Sequence, residues 1–257
     1  MKRVIAAVIV FFAALYCTPV GAKDEASAAV WDSANTAYIE ADYATAIKNY
    51  EQLLDSGYES ARLYFNLGNA YFKKGMNGRA ILNYNKALKL APGNDDIRYN
   101  LSIANAYVQD KIEEVPVFFV KRWLIDLGNS LSGNTWAILS LVFFVLLLLG
   151  VGAYLLLRRM IWQKIGFYGA VIFTLFFIVS VFYASVGRKA QLDPKEAIIM
   201  ASAAPVKSSP DGGSKDIFVL HEGTKVRVEG SLGDWREIRI ADGNKGWVEA
   251  ASIEMID

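Results

Sequence analysis

The sequence predicts a multidomain membrane protein: an all-α repeat solenoid, a two-helix transmembrane hairpin and a small all-β barrel. Three observations carry that expectation. Two adjoining windows in the N-terminal half repeat one order of small and aromatic residues. Two long, uncharged apolar runs follow them. Beyond Arg188 the chain changes to short alternating segments separated by Gly-, Asp- and Asn-rich turns.

Composition narrows the function classes. The chain has 257 residues, 54% hydrophobic and 21% charged, with a net charge of +1. Near neutrality offers nucleic acid no basic face, so none is expected as a partner. The sole cysteine is Cys17 and the sole histidine His221, which leaves no disulfide framework, cysteine–histidine metal site or cysteine nucleophile. No phosphate loop, nucleophile elbow or zinc motif occurs. Asp24-Glu25, Asp95-Asp96 and Glu113-Glu114 are paired only in sequence, because adjacent residues point apart on a helix. No catalytic residue, metal or cofactor is expected, and the chain does not read as an enzyme.

Residues 1–22 open with Lys2 and Arg3, continue through the apolar run Val4–Tyr16, and end in the small-residue step Val20-Gly21-Ala22. That is the pattern of a secretory signal peptide, with cleavage expected after Ala22. Tyr16 is too large for the position ahead of a lipid-bearing cysteine, which sets Cys17 aside as a lipid attachment site. Residues 136–157 and 165–187 are each long enough to cross a bilayer core of roughly 30 Å. The intervening loop, residues 158–164, carries Arg158, Arg159 and Lys164, as a cytoplasmic turn should. An exported N-terminus followed by two crossings puts both soluble parts on the outer side of a bacterial inner membrane.

The solenoid is expected over residues 23–114. Windows 27–60 and 61–94 each have the ~34-residue length of a tetratricopeptide (TPR) unit. The second carries Tyr64, Leu67, Gly68, Tyr71, Ala80, Tyr84, Ala87 and Pro92 in the order such a unit requires. The first is in register, with Ala34 in the place of Gly68 and Tyr50 in that of Tyr84. Residues 95–111 continue the helical period as a third or capping helix. Resemblance to TPR domains implies a concave face lined by Trp31, Asn35, Tyr38, Phe65, Asn69, Phe72, Lys73 and Tyr99. Amides there can donate to and accept from a peptide backbone, while the aromatics serve equally well as packing. Trp31 stands where carboxylate-clamping members carry a lysine, so no clamp is implied.

Residues 115–135 place Phe119, Trp123, Leu127 and Leu131 on one helical side, beside Lys121 and Arg122. That combination predicts a helix lying on the outer leaflet. Residues 188–257 predict a five- or six-stranded barrel. Its pieces Leu220-His221-Glu222-Gly223-Thr224, Gly233-Asp234-Trp235 and Asp242-Gly243-Asn244-Lys245-Gly246-Trp247-Val248 resemble a bacterial SH3-like (SH3b) domain. Trp235 and Trp247 are candidates for a ligand groove or for the barrel core. His221 reads as a turn residue.

The whole order, with the stretch Ser132-Gly133-Asn134-Thr135-Trp136-Ala137-Ile138-Leu139-Ser140-Leu141 before the first span, resembles the BatE family of the Bacteroides aerotolerance (Bat) group. The resemblance implies a scaffold in an envelope complex linked to aerotolerance or stress. Its implied partners are the bilayer, von Willebrand factor A-type Bat proteins and a MoxR-type ATPase linked to them. A second reading is a sensor that binds peptidoglycan or peptides through its SH3b domain. A third is an accessory subunit of an envelope enzyme.

Overall fold

The computed structural model describes residues 23–113, 115–116, 118–192 and 195–257; the expected signal peptide lies outside them. Contacts divide the chain into two compact units, one ending at Tyr58 and one beginning at Glu59.

In the first unit, α1 (Lys23–Ile39) and α2 (Tyr43–Asp55) pair through buried Ala34, Ala46, Tyr50 and Leu53. Alanine at the contact lets two backbones approach and leaves room for the tyrosine ring. Asp42 caps α2 by accepting a hydrogen bond from Thr45 N–H at 3.1 Å, which satisfies one orphan donor of the helix end. The turn between the helices holds Ala41 at φ +62°, a left-handed conformation rare for a residue with a Cβ.

The second unit opens with α3 (Ala61–Lys73), α4 (Asn77–Leu90) and α5 (Asp95–Ala106). Ser60 caps α3 and Asn94 caps α5 in the same way. Gly75 takes the turn at φ +80°, the position that Ala41 occupies in the first unit. A Cβ on Gly68 would fall 2.8 Å from the Tyr84 ring, so only glycine allows that ring its place between α3 and α4. Helix α4 stops at Leu90, two residues before Pro92, which cannot continue it. The third helix, expected through Lys111, ends at Ala106. The residues beyond are drawn to the barrel instead: Asp110 bonds to it and Ile112 packs against its core.

Helix α6 (Phe119–Gly128) leads into α7 (Gly133–Leu156) and α8 (Met160–Leu192). Both of the last two are long and apolar enough to cross a membrane. Their extents differ from the sequence expectation at the connection. The loop expected over residues 158–164 shortens to Leu157–Arg159, because nothing from Met160 to Lys164 breaks a helix. Likewise α7 starts at Gly133, ahead of Trp136, because Ser132 caps it through Thr135 N–H at 3.2 Å. Small residues hold the hairpin together. A Cβ on Gly166 would meet Gly150 O and Tyr154 N at 2.7 Å, and one on Gly187 would meet Gly133 Cα at 3.0 Å. Backbones this close replace hydrophobic driving force with contact area, as helices in lipid require.

The C-terminal part is a seven-stranded antiparallel sheet: β1 (Glu196–Ile199), β2 (Ala204–Lys207), β3 (Asp216–Leu220), β4 (Lys225–Leu232), β5 (Trp235–Arg239), β6 (Lys245–Glu249) and β7 (Ile253–Met255). Its order is β3-β2-β6-β5-β4-β1-β7. The core gathers Ile199, Val206, Leu220, Val226, Ile238 and Val248. Strand β2 escapes a sequence reading because it is short and holds Pro205, a residue that usually argues against a strand.

Candidate functional site

Each of the two helix pairs, α1–α2 and α3–α4, places its expected amide in a hydrogen bond with the tyrosine of its second helix. In the first, Tyr50 Oη donates to Asn35 Oδ1 at 2.8 Å. Trp31 is half-buried and packs edge-on against Tyr50 and Tyr58, with ring centroids 5.9 and 6.4 Å apart. Tyr38 packs in the same manner against Tyr43 at 5.5 Å. Trp31 and Tyr38 therefore contribute to the packing of their own unit.

In the second unit, Asn69 is a hub. Its Oδ1 accepts from Tyr84 Oη at 2.7 Å and from Asn100 Nδ2 at 2.9 Å. Two donors on one oxygen fix which way the amide faces, a preorganisation that a peptide ligand would not have to supply. Phe65 leans on Tyr84 at 6.0 Å and Phe72 meets Tyr107 edge-on at 5.7 Å. Lys73 is exposed, and Tyr99 is 67% exposed. Of the predicted residues, Tyr99 and Lys73 are the ones a partner can reach without disturbing the core. Asn100, which completes the network from α5, lies outside the residues that the TPR resemblance points to.

On the barrel, burial alternates along β6, and in β5 Ile238 is the buried residue. Ile238 and Val248 point inward, so Trp235 and Trp247 stand on the other side of the sheet. Both are half-buried and neither joins the core cluster. Trp235 pairs across the strands with Glu249, and Trp247 with Glu237. The two tryptophans are therefore diagonal neighbours, within reach of each other's side chains. Nearby, Glu229 accepts from Arg239 Nε at 2.6 Å and pairs with Lys245. Bonds from these two cations hold its pKa down at about 2.

Between repeat and barrel lies a joint that the sequence does not announce. Asp110 Oδ2 accepts from His221 N–H at 2.7 Å and from Thr224 Oγ1 at 2.6 Å, while Oδ1 lies 2.7 Å from His221 Nδ1. Burial pushes the Asp110 pKa up. The bonds from Thr224 and His221 outweigh that and leave it below the ordinary carboxylate value. Glu222 Oε1 accepts from Gly78 N–H at 2.9 Å. Helix α4 has Met76 at its N-cap and no side-chain cap of its own, so a barrel carboxylate supplies one where the helix end is electropositive. At the other end of α4, Lys86 pairs with Asp257 at 2.8 Å and Lys89 donates to Ile256 O at 3.1 Å. Gly223, at φ +91°, makes the turn; a Cβ there would strike Ile81 at 2.9 Å and Val108 at 3.0 Å. His221 is thus a turn residue, as expected, and also part of this joint.

Comparison with known proteins agrees with this architecture. A tetratricopeptide repeat family profile matches residues 61–94, and a bacterial SH3 domain profile matches residues 202–254. No curated protein shows a significant match to the chain. The chain combines a protein-interaction repeat and a bacterial SH3 domain with two helices able to cross a membrane. TPR repeats characteristically bind proteins, and bacterial SH3 domains bind cell-wall material or peptides.

Proposed function

We propose that this protein is a non-enzymatic membrane adaptor that recruits envelope proteins through its TPR repeats, on the outer side of a bacterial inner membrane. The observation that carries the reading is the joint at Asp110 and Glu222, which fastens the second repeat to the SH3-like barrel. A chain segment that precedes the hairpin and one that follows it are bonded together. This arrangement supports an even number of crossings, with both binding modules on one side. Within this reading the partners are von Willebrand factor A-type proteins of the Bat group and a MoxR-type ATPase linked to them, and the context is aerotolerance or stress.

The experiment is a crosslinked membrane pull-down of the full chain, identified by mass spectrometry. It compares Lys73→Ala/Tyr99→Ala with Trp235→Ala/Trp247→Ala. The adaptor reading predicts that the first pair loses the protein partners and the second keeps them. Asn69→Ala is the poorer choice, because its loss also strips partners from Tyr84 and Asn100.

A second reading has its own observation. Trp235 and Trp247 lie together on the sheet face turned away from the barrel core, where they suit a wall glycan or a peptide. Retention of the full chain on purified peptidoglycan, abolished by the tryptophan pair of substitutions, would favour a wall-binding sensor.

A further inference from the structure

We infer that α6 is a lipid-seated helix: Phe119, Val120, Trp123, Leu124 and Leu127 enter the outer leaflet, while Lys121 and Arg122 face its headgroup phosphates. The inference rests on the membrane-anchored reading. A helix of 10 residues that buries none of its side chains gains little from packing within the protein, and one so short is marginal alone in water. Yet it leaves Phe119 72%, Trp123 63%, Leu124 45% and Val120 41% exposed. Such a concentration of large apolar side chains on a surface marks a site covered by another phase or partner.

The sequence period and the hairpin decide in favour of lipid. At 3.6 residues per turn the five apolar residues share one side of α6, and Lys121, Arg122 and Asp126 share the other. Ile125 is the large apolar residue that falls among the polar ones. The C-terminal end of α6 is bonded to the end of the hairpin. Tyr183 Oη donates to Leu124 O at 3.0 Å, and Trp136 Nε1 donates to Gly128 O at 3.1 Å. The Tyr183 and Trp136 rings stack at 5.0 Å, and a Cβ on Gly128 would lie 2.8 Å from the Tyr183 ring. Tyr and Trp at the ends of spans occupy the headgroup zone. A helix bonded to both of them is held at that depth, where an apolar side and two flanking cations match a leaflet boundary.

The test uses the full chain in a Cys17→Ala background, in nanodiscs of phosphatidylethanolamine and phosphatidylglycerol. An environment-sensitive fluorophore is placed on single cysteines at Phe119, Trp123, Arg122 and Asp126, with Leu148 in the hairpin as reference. Labels at 119 and 123 should shift to the blue and be quenched by shallow nitroxide lipids. The label at 148 should be quenched by deep ones. Labels at 122 and 126 should stay water-like and be quenched by iodide. Water-like signals at both 119 and 123, beside a lipid-quenched 148, would overturn the inference and leave the hairpin standing. A blue shift at 119 and 123 that lipid nitroxides fail to quench would mean that a protein covers the helix, and overturns it too. Absence of lipid quenching at 148 would remove the membrane reading and this inference together.

Discussion

Asp110 Oδ1 lies 2.7 Å from His221 Nδ1, although the two residues stand 111 positions apart with the whole hairpin between them. The same carboxylate accepts from His221 N–H and from Thr224, and its side chain is only 12% exposed. Hydrogen bonds to a charged group are worth more than neutral ones, and unmaking them leaves two barrel donors without acceptors. Asp110→Ala should weaken docking of the barrel on the second repeat by about 2 kcal/mol. Hydrogen exchange at the amides of His221 and Gly78 should accelerate accordingly, while Asp211→Ala in an exposed turn leaves it unchanged. Unaltered exchange in Asp110→Ala would show that the joint is held by Ile81, Val108 and Gly223 instead.

Docking should also depend on pH. The folded-state pKa values of Asp110 and Asp257 lie below their ordinary value of 3.8, Asp257 mainly through its bond to Lys86. A depressed carboxylate contributes stability that is complete above the unfolded value and lost as the pH falls through the folded one. The distance distribution between spin labels at Lys74 and Ser231 should therefore stay narrow at neutral pH and broaden once the pH drops below about 4. Asp110→Asn should be broader than the parent at neutral pH and show a smaller acid transition. An acid transition of the parent's full size in that variant would place the titration elsewhere.

Within the hairpin, Gly166 and Gly152 make a controlled contrast. A Cβ on Gly166 would meet backbone atoms of Gly150 and Tyr154 at 2.7 Å, whereas Gly152 has open space around it. Gly166→Leu should cost about 2 kcal/mol by overpacking and lower the melting temperature in detergent. Gly152→Leu should change little. Equal effects would show that the hairpin does not depend on this close approach.

The left-handed residue of the first unit suggests a stabilising change. Ala41 holds φ +62° where the second unit has Gly75 at +80°. For an L-residue that conformation costs roughly 1 kcal/mol, so Ala41→Gly should raise the unfolding midpoint of the first unit. Gly75→Ala should lower stability by a similar amount. If both substitutions were neutral in denaturant titration, the turn would not be under conformational strain.

Much of this architecture is legible in the residues. Period and order give the helices of the repeats, since Tyr64, Leu67, Tyr71 and Tyr84 recur at the spacing that buries them. Length and absence of charge give the two apolar helices. What escapes sequence reading is long-range. Nothing local marks Asp110 as the partner of His221, Glu222 as the cap of α4, or Gly150 as the contact of Gly166. Each of those roles exists only after distant segments meet. Trp235 and Trp247 show a further limit: aromatic identity does not say which face of a small sheet a side chain occupies, and register does.

The proposed topology has the repeats and the barrel on one side of the membrane, on a two-helix anchor. It is tested most directly by thiol labelling in a Cys17→Ala background, with single cysteines at Lys74 in the second repeat, Ser231 in the barrel and Met160 at the hairpin turn. An impermeant reagent added to spheroplasts should label 74 and 231, and reach 160 only after the membrane is opened. Labelling of 74 and 231 from opposite sides would contradict the account, because the Asp110–His221 joint could not then form across a bilayer.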